Sequence, residues 1–419
     1  MRILYLTEYF QTPAEGGLMR TWEISKFLTD HGHSVSVVVA APHHMTGEAA
    51  PEVRRRLWHT SMIEGISVTK VWAPSRFRNT YWNRLRYYTI GPLLALAASL
   101  GQRTDVVLAS SPPFFLAPGA YLLSRLKRVP FVLEVRDAWL EFAIARGMVP
   151  KPLASALTGL QNWLFRRSDR IVAVTPGIFE LVLQSLPERS RDKAMLVMNG
   201  YEEDVFRGVD SELAERLRQH WRLGNRFVVI YAGTLGMARD CLTFVRAADQ
   251  LRDLKDVLFA FVGAGERRAE MVDYVQSHEL DNCLFVPMQP RRDMPAWFAL
   301  SSVALNSIRK GEALESSLSN KIFDYLGSGV PVVFSGEGDT KEFLIRSGGG
   351  LVVPPEDAVA MAGAIRRLHD DPELRAQMGA KGQSFVIANY SRSKLVAPME
   401  RMLSELGRRD PSDPVEVTT

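Results

Sequence analysis

Apolar residues in this chain come in short runs, with polar stretches of helical period between them. In the first half the runs are Ile3–Thr7, Ser34–Ala40, Val106–Ser110, Phe131–Val135, Ile171–Thr175 and Met195–Met198. They are rich in Val and Ile and do not alternate with polar residues, which predicts parallel strands buried on both faces. Met19–His31 and Ile178–Leu186 carry their apolar residues at helical spacing. After Asn199-Gly200 the chain turns polar through Glu202, Glu203, Asp204 and Asp210. The pattern then restarts with Phe227–Tyr231, Val257–Val262, Cys283–Val286, Val303–Asn306, Val330–Phe334 and Leu351–Val353, and helical stretches such as Leu242–Leu251 and Asn320–Leu326 separate them. Strand and helix in alternation, with right-handed crossovers, give a doubly wound sheet. The chain is therefore read as α/β, with two Rossmann-like parallel-sheet domains at 1–200 and 201–390. A last helix, 391–407, and a polar tail, 408–419, expected to be disordered, follow them.

Composition changes this picture little. Apolar residues make up 46% and charged residues 23% of 419, as in a globular protein with full cores. The two cysteines, Cys241 and Cys283, have no metal-ligand spacing, and no metal or other cofactor is expected. The chain opens on the strand Arg2-Ile3-Leu4-Tyr5-Leu6, not on a leader, and the apolar run Thr89–Leu100 is too short to span a bilayer. A cytoplasmic location follows as the expectation, with the inner face of the plasma membrane as a possible resting place. A net charge of +4 is too small to argue for nucleic acid, and none is expected as a partner. Glu52–Arg86, however, holds eight basic residues against two acids, interleaved with Trp58, Trp72, Phe77, Tyr81 and Trp82, and Tyr87 and Tyr88 follow. That mixture suits anionic lipid headgroups, or simply a solvated loop. The segment Leu153–Arg167 sets Leu153, Ala156, Leu157, Leu160, Trp163 and Leu164 on one helical face, which fits a membrane surface or a core.

Ligands of open parallel sheets sit beyond the carboxyl ends of the strands. There, Gly16-Gly17 follows the first strand and precedes a helix. Gly233-Thr234 and Gly263-Ala264-Gly265-Glu266 follow two consecutive strands of the second half, with Arg239 close behind the first. Glycines admit backbone N–H groups to a phosphate, and an arginine supplies the counter-charge, so the pair suits a nucleoside diphosphate. The strongest group is Leu318-Ser319-Asn320-Lys321 with Asp324. Ser319 or Asn320 can cap a helix whose free N–H groups face a ligand. Lys321 sits in the first turn, where the helix dipole disfavours a cation unless an anion compensates. Asp324, one turn on, is read as an acceptor for ribose hydroxyls. Met288, after the third strand of this half, completes the expected donor-binding set.

In this order the pieces resemble a retaining glycosyltransferase of family 4 with the GT-B fold. The resemblance rests on Gly16-Gly17, Gly32-His33-Ser34-Val35, Ser168-Asp169-Arg170-Ile171-Val172, Met198-Asn199-Gly200, Tyr231-Ala232-Gly233, Val262-Gly263-Ala264-Gly265-Glu266 and Gly329-Val330-Pro331-Val332-Val333. Together they span residues 1 to about 390. Glu134-Val135-Arg136-Asp137-Ala138-Trp139 is similar to a segment of bacterial transferases that build capsule and O-antigen units from amino sugars of the N-acetylfucosamine type. The resemblance implies two domains facing across a cleft, a nucleotide sugar (UDP-linked by expectation) on the second domain, and a saccharide or lipid-linked saccharide acceptor on the first. It also implies a last helix that returns to the first domain, and hexosyl or N-acetylhexosaminyl transfer with retention.

Arg239, Arg136 and Asp137 are the expected catalytic residues. The chain departs from the family where a pair of glutamates is usual, with Ser316 and Asp324 there, and Thr234 and Arg239 replace the usual Arg-Lys pair. Two other readings stay open: a transferase-like subunit that binds without catalysing, and a nucleotide-sugar epimerase using His43 and His44.

Overall fold

A computed structural model describes the chain except residues 14–18, 40–50, 54, 75–80, 113, 146, 207, 237–238, 312–314, 316–317 and 409–419. Gly16, Gly17, His43, His44, Ser316 and Phe77 thus lie outside the described residues. Two compact units are present: one holds most of the chain up to Met198 together with its end from Leu395, and the other holds Asn199–Lys394.

The first unit is built on an eight-stranded sheet. Its strands are β1 (Arg2–Thr7), β2 (Ser34–Val39), β3 (Trp58–Ile63), β4 (Ile66–Val71), β5 (Val106–Ser111), β6 (Phe131–Val135), β7 (Arg170–Ala173) and β8 (Ala194–Leu196), in the order β3-β4-β2-β1-β5-β6-β7-β8. The apolar runs read from the sequence are the parallel strands, and β1, β5 and β6 are buried almost throughout. The β3–β4 hairpin is the exception, because 52–86 reads as a basic aromatic surface with no strand. β3 alternates exposed and half-buried residues along its whole length and pairs antiparallel with β4. A two-residue turn, Glu64-Gly65, joins them with φ of 48° and 84°, the doubly left-handed turn that suits a right-twisted hairpin. Trp58 and Met62 remain exposed on this edge, but Tyr87 does not belong to the surface: it is buried and donates to Glu8 Oε1 at 2.6 Å.

The helix Arg392–Gly407 closes the first unit. Val396, Met399, Met402, Leu403 and Leu406 pack with Ile3, Tyr5, Ile24 and Leu28 in one core. Glu400 Oε1 lies 3.0 Å from His33 Nε2 beside them.

The second unit is a six-stranded, all-parallel sheet. Its strands are β9 (Phe227–Ala232), β10 (Val257–Val262), β11 (Cys283–Val286), β12 (Val303–Ser307), β13 (Val332–Ser335) and β14 (Gly350–Val353). Their order, β11-β10-β9-β12-β13-β14, reverses direction between β9 and β12. At that reversal the crossovers before and after run to opposite faces of the sheet, which leaves a crevice beyond the strand ends. Phe244, Phe259, Phe261, Met361 and Ile365 fill one face of the sheet.

Candidate active site

The crevice of the second unit collects most of the residues expected to bind a donor. β9 ends at Ala232 and the chain turns through Gly233-Thr234, while β10 ends at Val262 and turns through Gly263-Ala264-Gly265-Glu266. Gly233, Gly263 and Gly265 all have positive φ, 136°, 150° and 156°. Their role differs from the expected one. Gly233 N–H donates to Val262 O at 2.8 Å and Gly263 N–H to Val286 O at 3.0 Å, so neither amide is available to a phosphate. The glycines are needed because protein comes close: a Cβ on Gly263 would lie 2.0 Å from Gly233 O, and one on Gly265 would lie 2.2 Å from Leu235 O. At Gly233 the intruding group would be Lys321 Cε, at 2.2 Å. The bare face of Gly233 is therefore the bed of the Lys321 side chain.

Lys321 lies in the first turn of the helix Asn320–Gly327, half-buried, with its Nζ 5.4 Å from the centre of the Tyr231 ring. Among the described residues it makes no hydrogen bond or ion pair. Burial, then the charge of Arg239, pull its pKa from 10.5 down to about 7. Arg239 reaches the same crevice from beyond β9 and donates Nη1–H to the carbonyl of Ser307, the last residue of β12, at 2.9 Å. The two cations thus share one end of the sheet with no acid paired to either among the described residues.

Ser319 holds the N-cap position, but its side chain does not cap the helix, contrary to the sequence reading. Its hydroxyl is buried without a partner among the described residues, and its N–H donates to Thr340 Oγ1 at 3.3 Å. Leu318 is buried beside it, and Asn320 is exposed. A helix N-terminus with an unsatisfied hydroxyl and an unpaired lysine is built to receive an anion. Thr234, Glu266 and Met288 lie exposed on the loops after β9, β10 and β11.

Asp324 is placed differently from the expectation that it awaits ribose. It is buried, and Arg291 grips both of its oxygens, Nη1 to Oδ2 at 2.7 Å and Nη2 to Oδ1 at 2.8 Å. The same Nη2 donates to Glu202 Oε1 at 2.7 Å, and Arg392 Nη2 donates to the carbonyl of Gly200 at 3.0 Å. Burial pushes the Asp324 carboxyl up, against the pull of Arg291. A buried charge needs such partners to be tolerated, so the first use of Asp324 is to fix the helix Asn320–Gly327 against residues 200–202.

In the first unit, Arg136 and Asp137 follow β6. Asp137 is exposed, and Arg136 is half-buried, with its N–H on Ser111 O at 2.8 Å. Burial pushes the Glu8 carboxyl up against the charge of Arg136, whereas at the equally buried Glu134 the charges of Arg20 and then Arg136 outweigh burial and hold the carboxyl low. Glu134, within β6, accepts from Arg20 Nε at 2.7 Å and from Tyr5 Oη at 2.5 Å, and Arg20 also donates to the carbonyls of Val197 and Met198. Sequence reasoning missed Arg291, Glu202, Arg20 and Glu8. The available signal was a charge inside an apolar run, as at Glu134 in Phe-Val-Leu-Glu-Val; nothing local identified its partner 114 residues away. Among the described residues no group of three or more His, Cys, Asp or Glu could hold a metal ion.

Residues 15–200 match the family model described as glycosyl transferase 4-like domain, and residues 226–371 match that of glycosyl transferases group 1. The chain is 23% identical over 363 residues to WcaI of Escherichia coli, a protein named for glycosyl transfer in colanic acid biosynthesis, covering 83% of this chain and 87% of that one. It is 24% identical to the alpha-D-kanosaminyltransferase of Streptomyces kanamyceticus, over 68% and 73% of the two chains. Among solved structures, HepE of Anabaena in complex with UDP aligns with a TM-score of 0.70 and 14% identity, covering 97% of this chain and all of that one. WaaG, from lipopolysaccharide biosynthesis, aligns with a TM-score of 0.68 and 13% identity over 96% and 100%.

Proposed function

Because the chain belongs to the glycosyltransferases of the family 4 type, with the GT-B fold, we propose that its second unit holds a UDP-linked sugar by the diphosphate. The sugar passes, with retention, to a saccharide or lipid-linked saccharide in cell-surface polysaccharide synthesis. One observation carries this reading: Arg239, Lys321, the Ser319 hydroxyl and the N-terminus of Asn320–Gly327 gather where the strand order reverses. Breaking the sugar–phosphate bond builds negative charge on the leaving diphosphate and positive charge on the anomeric carbon. Donors fixed beforehand at the diphosphate lower that barrier, and each typically contributes about two to three orders of magnitude in rate. Arg239 and Lys321 do this work without a metal cofactor.

Asp324 is engaged by Arg291, so it is a poor candidate for a covalent nucleophile. Front-side attack by the acceptor, with its proton passing to the departing phosphate, fits retention better. Arg136 and Asp137 of the first unit orient the acceptor hydroxyl. The transfer is of the hexosyl or N-acetylhexosaminyl type, a choice supported by the likeness to the kanosaminyltransferase, whose name is that of an amino-hexose transferase. The donor's uridine is supported by the likeness to HepE, solved with UDP and with UDP-glucose.

Thermal shift against UDP-, GDP-, ADP- and dTDP-sugars tests the donor, since a ligand of the native state raises its apparent stability. A UDP-sugar should give the largest shift; no shift with any of them refutes the reading.

A membrane surface is proposed as the resting place, although no described helix is long and apolar enough to cross one. The helix Lys151–Arg167 buries Leu157 and Leu164 but leaves Leu153 and Trp163 exposed, so the apolar face read from sequence is shared between core and surface. Trp163 meets Tyr121 edge-on at 5.0 Å, and Leu122 and Leu126, on the helix of Tyr121, are exposed near Arg125 and Lys127. Co-sedimentation with anionic vesicles, abolished by salt, is the expected result, and equal binding to neutral vesicles would contradict the electrostatic part.

A further inference from the structure

The first sheet, like the second, reverses its strand order, here between β1 and β5. A crevice therefore opens beyond the carboxyl ends of these strands too. Glu8 stands there, directly after β1, and is only 7% exposed. Tyr87, from the helix Tyr81–Leu100, donates Oη–H to Glu8 Oε1 at 2.6 Å, and Tyr9 gives the carboxyl a further hydrogen bond. Phenols orient a carboxylate without neutralising it. Among the described residues Glu8 makes no ion pair, unlike Glu134, whose charge Arg20 meets at 2.7 Å. A buried acid with no counter-ion carries a desolvation cost that packing leaves uncompensated.

A cation stands on the same rim. Arg136 follows β6 and is half-buried, and among the described residues its guanidinium makes no hydrogen bond or ion pair. Its charge nevertheless reaches Glu8, as does that of Asp137. Burial raises the Glu8 carboxyl most; the phenols of Tyr87 and Tyr9 and then Arg136 pull it down, and Asp137 adds to the rise. An acid and a base that feel each other without touching suit a ligand that donates to one and accepts from the other. Glu8 repels an anion and Arg136 a cation. A hydroxyl satisfies both.

We propose that Glu8 is an acceptor-binding residue, its carboxylate taking the hydrogen bond of an acceptor hydroxyl whose oxygen accepts from Arg136, with Tyr87 as the positioning residue behind it. The assignment rests on the reading that the first unit binds the acceptor, and it deepens that reading by naming a residue for it. The hydroxyl on Glu8 is not the attacking one, whose proton goes to the departing phosphate. Arg136 has N–H groups enough to serve both hydroxyls.

The probes are octyl glycosides of gluco, galacto and manno configuration, offered to the whole protein. Carboxyl-carbon NMR of isotope-labelled protein needs no donor, and the Glu8 resonance is assigned by its loss in Glu8→Gln. A bound glycoside should move that resonance and lower the pH at which it titrates, because a hydroxyl donor favours the ionised form. In turnover, read as nucleoside diphosphate release, Glu8→Gln should lower kcat/KM for the acceptor about 10- to 100-fold, the effect of losing a hydrogen bond to a charged group. Donor affinity should stay unchanged. The pH profile separates contact with the acceptor from support of the fold. Acceptor kcat/KM should fall as pH drops through the titration of Glu8, and Glu8→Gln should abolish that acid limb. Tyr87→Phe removes a donor to the ionised form and should move the limb to higher pH. Should Glu8→Gln fail to fold, Glu8→Asp assigns the resonance and Tyr87→Phe still decides. A Glu8 resonance that no glycoside moves, or an acid limb that Tyr87→Phe leaves in place, overturns the proposal. A resonance that responds to a glycoside in a protein releasing no diphosphate from any donor would leave Glu8 assigned and sink the transferase reading instead.

Discussion

Binding of a nucleoside diphosphate should take up a proton, and Lys321 is the group that receives it. Burial and the charge of Arg239 hold this lysine at about 7 in the free protein, against 10.5 for an ordinary lysine. A diphosphate placed against it reverses both causes, because it offers an anionic partner in a poorly solvated site. At pH 8 a group titrating near 7 is about one-tenth protonated, so restoring its charge consumes about 0.9 proton per ligand bound. The ligand contributes little there, since the second ionisation of a phosphate lies near 6 and is complete. By linkage, affinity falls as pH rises, by about tenfold per pH unit above 7 until the lysine of the complex itself titrates. Calorimetric titration with UDP in phosphate and in Tris at pH 8 measures the uptake directly, as the slope of observed enthalpy against buffer ionisation enthalpy. Lys321→Met should abolish that slope and weaken binding. Arg239→Ala, which removes the second cause of the depressed pKa, should shrink the slope without abolishing it. Zero uptake by the unmodified protein would refute the reasoning.

Other outcomes follow from the same contacts. The unfolded chain carries Lys321 near 10.5 and the folded one near 7, so the unfolded state binds more protons between those values. This group's contribution to stability therefore rises with pH across that window, and denaturation curves of Lys321→Met should lose that part of the slope. Arg239→Ala, which gives up one hydrogen bond to Ser307 O, should leave the fold intact and lower kcat by about two to three orders of magnitude; near-normal turnover would exclude its role. Gly233→Ala should expel the Lys321 side chain and weaken UDP binding, whereas Gly263→Ala, which meets the Gly233 carbonyl, should chiefly destabilise the second unit. Arg291→Met strands Asp324 without the guanidinium that grips both its oxygens and removes the shorter of two arginine contacts to Glu202, and it should cost the second unit about 3–5 kcal/mol in urea unfolding; a loss under about 1 kcal/mol would show that the cluster relaxes.

What the sequence revealed depended on whether a residue's task was local. The strands of the second unit were legible because Val257–Val262 and Cys283–Val286 are bounded, apolar and short. Lys321 was legible because a cation in a first helical turn is out of place on local grounds alone. The hairpin of β3 and β4 was not, since His59, Thr60 and Ser61 sit on a half-wet edge and resemble a loop. The glycines were found for an incorrect reason: their positive φ was foreseeable, but the neighbour that demands it, a carbonyl or a lysine carbon, comes from another segment. Asp324 was assigned to a ligand because Arg291, 33 residues earlier in an ordinary polar stretch, gives no sign that it will reach back. Gly16 and Gly17, the other glycines of the expected donor site, lie outside the described residues.

The central claim is that one anionic ligand neutralises Arg239 and Lys321 together. A crystal structure with UDP bound tests it most directly. The account predicts that the diphosphate oxygens lie within hydrogen-bonding distance of Lys321 Nζ, of Ser319 Oγ and of the guanidinium of Arg239. A diphosphate bound elsewhere, with Lys321 still lying unpaired over Gly233, would contradict it.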